Sequence, residues 1–287
     1  MKIKHFTSSS TNWSIAPIWA LLFASLATAH SGYGLTQAIL DNAVLVEEFL
    51  FDDADGTAID EVSNSANSGN SFDTDTDTAG VTTNGSGQLN ASLKSNTAFG
   101  SNYIDFSRID SGVVYAWMEL TWDFQSTFDA SETEEIRLSL LNNDPRGTEI
   151  TAQWELERTG SSALTIGGTA NGTGTSNIAA VEFNGGSMTQ SSTFIAVVEA
   201  DLDNDSYSVH YSSDAGANYT IVGTGQMDPS RGVDSLRMVL NNDLSGNDVL
   251  IDRLAFATAI PEPARFGLVL SLFGSLWFGL QRRRRGT

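Results

Sequence analysis

The chain has 287 residues, no cysteine, 40% hydrophobic residues, a formal net charge of −20 and a pI of about 4.2. The absence of cysteine excludes a disulfide-held scaffold, a thiolate metal site and a thiol nucleophile. The acidity argues against a nucleic-acid interface or charge-driven adhesion to anionic lipid.

At the start, Lys2 and Lys4 precede the apolar segment Ile15–Leu26, and Ala27-Thr28-Ala29 fits a small-x-small cleavage site. This pattern predicts a secretory signal peptide over 1–29, cut after Ala29. A retained membrane anchor is the alternative.

The body, 30–259, carries eight basic and 34 acidic residues, a net charge of −26. Such a surface suits solubility, salt tolerance or divalent-cation binding. Without disulfides its stability must come from buried apolar area, with metal as the other route.

Short alternating runs separated by turn-rich clusters predict strands through the whole body. The first is Val44–Phe51. The stretch 60–95, rich in Ser, Asn, Thr, Asp and Gly, reads as a flexible surface excursion. Phe99–Phe106 follows, and then Val113–Phe124, apolar on both faces and so expected at the centre of a sheet. Ile136–Leu141 is next. In Glu149–Glu157, Ile150, Ala152, Trp154 and Leu156 alternate with Glu149, Thr151, Gln153, Glu155 and Glu157, which gives one dry and one wet face. Ala163–Ile166, Asn177–Phe183 and Thr193–Leu202 come next. Asp203-Asn204-Asp205 turns the chain into Ser206–Ser212, and Asp214–Asn218 turns it again into Tyr219–Val222. Val233–Leu240 and Val249–Phe256 close the body. About a dozen strands with no helical period predict an all-β fold, a single β-sandwich or jelly roll.

Phe51-Asp52-Asp53-Ala54-Asp55-Gly56-Thr57, the hairpin Val197–Ser212 and the closing Asp248–Leu254 are similar to concanavalin A-like lectin/glucanase jelly rolls of the laminin-G kind. The resemblance implies a sugar-binding or adhesive sandwich. It also implies that a calcium ion can join the first and last strands, pairing Asp52 or Asp53 with Asp252. Calcium is the one cofactor that the closely spaced carboxylates would suit, although neither Asp-rich run has EF-hand spacing.

The glucanases of that superfamily carry Glu-x-Asp-x-Glu on one strand, so that period two puts the carboxylates on one face. No such motif is present. Glu199-Ala200-Asp201-Leu202-Asp203 comes nearest and lacks the third glutamate. His210 is the only histidine inside the body and reads as solvated on the polar face of a hairpin strand. It has no second histidine or cysteine to make a zinc site. No catalytic residue is therefore expected. Trp117, Trp122 and Trp154 belong to strong strand patterns and read as core. Tyr103, Tyr207, Tyr211 and Tyr219 are the rings left for sugar stacking.

At the end, Pro261-Glu262-Pro263 leads into the apolar run Phe266–Leu280 and then Arg282, Arg283, Arg284 and Arg285. Two prolines exclude helix around Glu262 and leave an extended handle. A helix over about 264–280 is long enough to reach across a bilayer core, with the arginines held inside and the body outside. Pro-Glu-Pro, a short apolar helix and a terminal arginine cluster resemble the PEP-CTERM sorting domain. The resemblance, confined to 260–287, implies recognition and removal of the tail by an exosortase, with Pro261, Glu262 and Pro263 as recognition residues.

These readings converge on an exported bacterial surface or extracellular-matrix protein. It would be tethered by its tail before processing and bind no nucleic acid. Its sandwich would be a non-catalytic binding or structural module with polysaccharide as the expected partner. The alternative is a glucanase-type carbohydrate hydrolase, which needs two carboxylates facing one open groove.

Overall fold

The computed structural model describes residues 35–259, apart from 67, 75–77, 79, 96–97, 125–132, 143–148, 160–162, 184–187, 242–243 and 245–246. The predicted signal segment, the Pro-Glu-Pro motif, the apolar run after it and Arg282–Arg285 lie outside the described residues. Among the described residues no helix is long and apolar enough to cross a membrane.

A short helix, α1 (Gln37–Asp41), precedes fifteen described strands. They are β1 (Val44–Phe49), β2 (Asp73–Thr74), β3 (Thr82–Thr83), β4 (Leu89–Asn90), β5 (Phe99–Ile109), β6 (Val113–Asp123), β7 (Thr133–Leu141) and β8 (Ile150–Thr159). After these come β9 (Ala163–Thr169), β10 (Ile178–Glu182), β11 (Thr189–Asp201), β12 (Ser206–Ser212), β13 (Thr220–Gln226), β14 (Val233–Asn241) and β15 (Leu250–Thr258). One sheet runs β13-β12-β11-β6-β15-β4-β3, with β1 also paired to β15. The other runs β10-β9-β8-β7-β14-β5-β2. Pairing is antiparallel throughout, so the body is the expected all-β sandwich.

Alternation dictates the layers. On β7, Ile136, Leu138 and Leu140 are fully buried and belong to one core cluster. On β8, Ala152, Trp154 and Leu156 do the same. From the opposite sheet come Val114, Ala116, Met118, Leu120 and Trp122 of β6, with Phe194, Ala196 and Val198 of β11. Each of the larger side chains contributes roughly 1.5–3 kcal/mol by leaving water, which is how a cysteine-free chain holds together. The densest part is aromatic: Phe194 lies edge-on to Trp122 at 4.9 Å and to Phe183 at 5.4 Å, and stacks on Tyr211 at 5.5 Å. Trp122 and Trp154 take their predicted place between the sheets. Trp117 is buried too, but on the outward side of β6, beneath the guanidinium of Arg253.

One lateral opening of the sandwich is closed by contact between the two sheets. Ser176 bridges to Gln226, the last residue of β13, and the Tyr207 hydroxyl donates to the Ser176 carbonyl. Glycine is required at position 225, where a Cβ would stand 2.3 Å from the Tyr207 ring and 2.5 Å from the Ser176 carbonyl. Tyr207, read from the sequence as a candidate exposed ring, is instead buried by this closure and its hydroxyl pKa is pushed up to about 12 by burial.

The stretch 60–95, whose composition reads as a surface excursion, supplies β2 to one sheet and β3 and β4 to the other. Isolated apolar residues anchor it: Val62, Phe72, Val81, Leu89 and Ala91 are all buried. Two polar contacts complete the attachment. Glu47 is fully buried because a bulge between Leu45 and Glu47 turns it onto the inner side, opposite Phe256. Its carboxylate accepts from Asn64 Nδ2 at 2.5 Å, Ser68 Oγ at 2.6 Å and Asn70 Nδ2 at 2.6 Å. Lys94, the only lysine of the body, is also buried, with its ammonium donating to the Ala98 carbonyl at 2.7 Å.

Candidate functional site

The outward side of the seven-stranded sheet carries an ordered polar surface. Antiparallel partners that stand directly opposite share a face, so the strand register defines rows of side chains running across the sheet. The first row is Phe99 on β5, Asn241 on β14, Glu135 on β7, Glu157 on β8 and Thr165 on β9. The second is Ser101, Val239, Arg137, Glu155 and Gly167. The third is Tyr103, Arg237, Ser139, Gln153 and Thr169. Five strands leave four gaps, so each row spans roughly 19 Å at the usual inter-strand spacing.

Exposure is graded across these rows. In the third, Ser139, Gln153 and Arg237 are at most 3% exposed. In the first, Phe99 is 39% exposed and Asn241, Glu135, Glu157 and Thr165 are all partly accessible. The accessible part of this face is thus the first row and the Arg137–Glu155 pair of the second, while the third row, farther along the same strands, is mostly buried.

The accessible groups are held in place. Glu135 is paired with Arg137 and accepts from Asn241 Nδ2 at 3.1 Å. Its carboxyl is nonetheless held above the ordinary carboxylate range, first by burial and then by the charges of Glu157 and Glu155, which outweigh the lowering by Arg137 and Asn241. The Arg137 guanidinium lies 5.3 Å from the centre of the Phe99 ring, a cation–π contact that fixes both. Gln153 Nε2 donates to Glu155 Oε1 at 2.5 Å. Fixed carboxylates, an amide and an aromatic ring in one plane form a surface of hydrogen-bond acceptors beside an apolar platform.

The residues picked from the sequence are distributed differently. Asp52 is exposed. Asp53 accepts from the Ser63 backbone N–H at 3.0 Å and from its hydroxyl at 2.7 Å. Asp252 accepts from Gln88 Nε2 at 2.7 Å. The first and last strands do pair, from Val44 opposite Thr258 to Phe49 opposite Leu254, but they do so through backbone hydrogen bonds. Among the described residues no group of three or more histidine, aspartate or glutamate side chains converges to hold a metal ion. Asp201 serves its turn, accepting from the Asp203 and Asn204 backbone N–H groups.

His210 departs from expectation. It lies on the outward side of β12 as the alternation requires, yet it is only 5% exposed. Val197 and Ile221 flank it on the neighbouring strands, its Nε2 is 2.7 Å from Ser208 Oγ, and the Glu199 carboxylate is 3.9 Å from the same nitrogen. Both polar neighbours meet one ring nitrogen, so the trio has no relay geometry for nucleophilic catalysis.

No protein-family model matches the chain, and no curated protein matches it. Solved structures do. An endo-1,3-β-glucanase from Streptomyces sioyaensis superposes with a TM-score of 0.50 at 13% identity, covering 77% of this chain and 98% of the glucanase. The metal-free exoplasmic/lumenal domain of VIP36 gives 0.49 at 7% identity, covering 77% of this chain and 93% of that domain. Lectin II from Ulex europaeus gives 0.47 at 11% identity, covering 75% of this chain and all of the lectin. The body thus shares the two-sheet fold of the glucanase, in agreement with the sequence resemblance to lectin/glucanase jelly rolls.

Proposed function

We propose that the body is a non-catalytic carbohydrate-binding module whose ligand lies across the seven-stranded sheet on the row Phe99–Asn241–Glu135–Glu157–Thr165. The observation that carries this reading is the accessible row itself, an exposed ring and pre-oriented acceptors set in register over five strands. Sugar hydroxyls donate to fixed carboxylates, and a sugar's apolar face stacks on an aromatic ring. Pre-orientation lowers the ordering cost of binding.

A linear β-1,3-glucan oligosaccharide is the first probe, because the glucanase neighbour names that polymer. Calorimetric titration should show saturable binding, weakened about tenfold, or roughly 1.4 kcal/mol, in Glu155→Ala and in Phe99→Ala. Failure of the protein to bind this probe or any member of a glycan array would reject the reading.

One observation favours a hydrolase as the second reading. Glu135 and Glu157 stand directly opposite each other, and Glu135 is held above the ordinary carboxylate range, as a proton donor requires. Release of new reducing ends, lost in Glu157→Gln while binding persists, would establish it.

Export and sorting belong to the same proposal. The signal segment 1–29 carries the body out, and the tail 260–287 holds it at the membrane until an exosortase-type enzyme removes it. Supporting this are the order Pro261-Glu262-Pro263, apolar run, Arg282–Arg285, and the fact that the sandwich ends on β15, next to the tail. Mass spectrometry of the mature protein from an exosortase-bearing host should find no peptide from the arginine cluster. Glu262→Ala should retain it. Intact arginines in the wild-type mature protein would sink the processing step.

A further inference from the structure

Arg237 is conspicuous in so acidic a body: it is a guanidinium at the middle of the seven-stranded sheet, only 3% exposed. It comes no nearer the surface than the third row, so it cannot meet a ligand lying on the first. Its donors meet the neutral side chains of Tyr103, Ser139 and Gln153. Nη2 donates to Gln153 Oε1 at 2.9 Å and to Ser139 Oγ at 3.2 Å, while Nε donates to the same hydroxyl at 3.3 Å. The Ser139 hydroxyl donates in turn to Gln153 Oε1 at 2.6 Å.

Two donors on one amide oxygen settle the orientation of Gln153. An amide that turned over would present its NH₂ group to a guanidinium and lose both bonds, leaving buried donors unpaired. The NH₂ group therefore faces the other way, toward the surface, where Nε2 donates to Glu155 Oε1 at 2.5 Å. Glu155 lies one row outward on the same strand and is partly accessible.

We propose that Arg237 is a positioning residue for the sugar-binding face: through Gln153 it holds the Glu155 carboxylate, in the row next to the first, in one rotamer, so that its second oxygen is offered to a ligand hydroxyl. The inference rests on the carbohydrate-binding reading for its ligand but not for its geometry. Arg237 acts at a distance of two hydrogen bonds and touches no sugar. Lysine cannot replace it, because a single ammonium on a flexible stem lacks the planar fork that meets Ser139 and Gln153 together.

The test is a double-mutant cycle on binding of the β-1,3-glucan oligosaccharide, with side-chain amide NMR on the same proteins. Arg237→Met should weaken binding about tenfold in the wild-type background and cause no further loss in Glu155→Ala. Arg237→Lys should behave like Arg237→Met although the charge is kept. In the wild type, the two Gln153 Nε2 protons should give separate, slowly exchanging signals. In Arg237→Met and Arg237→Lys these should collapse toward solvent-exposed values. Ser139→Ala removes a single donor and covers the case in which the arginine variants fail to fold; it should loosen the Gln153 signals in part.

An equal loss of binding in both backgrounds would overturn the proposal, as would Gln153 signals unchanged in every variant. If the wild type binds no glycan while the Gln153 signals respond as expected, the positioning device stands and the carbohydrate reading falls. The two failures are thus distinguishable.

Discussion

Replacing Glu47 with leucine should cost about 1–3 kcal/mol of stability, because three donors, two of them part-buried, lose their common buried acceptor at once. Asn64, Ser68 and Asn70 all donate to this one carboxylate, which is fully buried on the inner side of β1. Leucine fills the space and satisfies none of them. The cradle does not have the character of a cation site. Asn64 Oδ1 accepts from the Ala66 N–H at 3.0 Å and the Glu48 N–H at 3.4 Å, so its NH₂ group must face Glu47, where a cation would be repelled. Glu47→Gln should cost less than leucine, since it keeps one acceptor oxygen but sets one NH₂ group against another. Urea unfolding measures both. Hydrogen exchange should show 63–70 opening first in the leucine variant, because that segment depends most directly on Glu47. A leucine variant as stable as the parent would mean that the Ser65 N to Glu48 O bond and the Ser63–Asp53 bonds hold the segment without Glu47.

The second large effect concerns acid. Burial pulls the His210 pKa down to about 4 from its ordinary 6.5. The folded protein thus resists a proton that the unfolded chain accepts. The stability associated with neutral His210 is fully present above pH 6.5. It falls as pH drops through the window between 6.5 and about 4, by up to about 3 kcal/mol. His210→Gln keeps a partner for Ser208 and cannot charge. Its unfolding free energy, measured by urea at pH 7.5, 6.0 and 4.5, should fall less steeply than that of the wild type. Parallel curves for the two proteins would rule out His210 as the acid-sensitive group. A comparison with the variant is needed because carboxylate protonation also relieves self-repulsion in a body of charge −26, an effect of opposite sign that both proteins share.

Strands with apolar alternation are visible from sequence because burial and period two act on each strand by itself. Val113–Phe124 nearly coincides with β6, and Ser206–Ser212 is β12 to the residue. Where polar residues enter a strand the signal fades. β11 begins at Thr189, ahead of the apolar run that starts near Phe194, because Gln190 and Ser192 read as loop. β2, β3 and β4 have two residues each and exist only because longer strands offer them a partner. The polar rows fade for a different reason. Arg237 and Gln153 are 84 positions apart and meet only when β14, β7 and β8 pair in one register. The strand Ile136–Leu141 is legible from its alternation, but which strand lies opposite it is not. Nor could a bulge that turns Glu47 inward be inferred from a run that opens with three apolar residues, Val44, Leu45 and Val46.

Lys94 has a consequence for anyone who handles the protein. A body whose sole ε-amine is sequestered against the Ala98 carbonyl offers acylating dyes, biotin esters and aldehyde fixatives no internal foothold while it stays folded. Such reagents find no exposed lysine on the 30–259 body, which leaves the sheet face unmodified. Acylation at Lys94 itself then marks molecules that have opened, turning one hidden side chain into an internal gauge of unfolding.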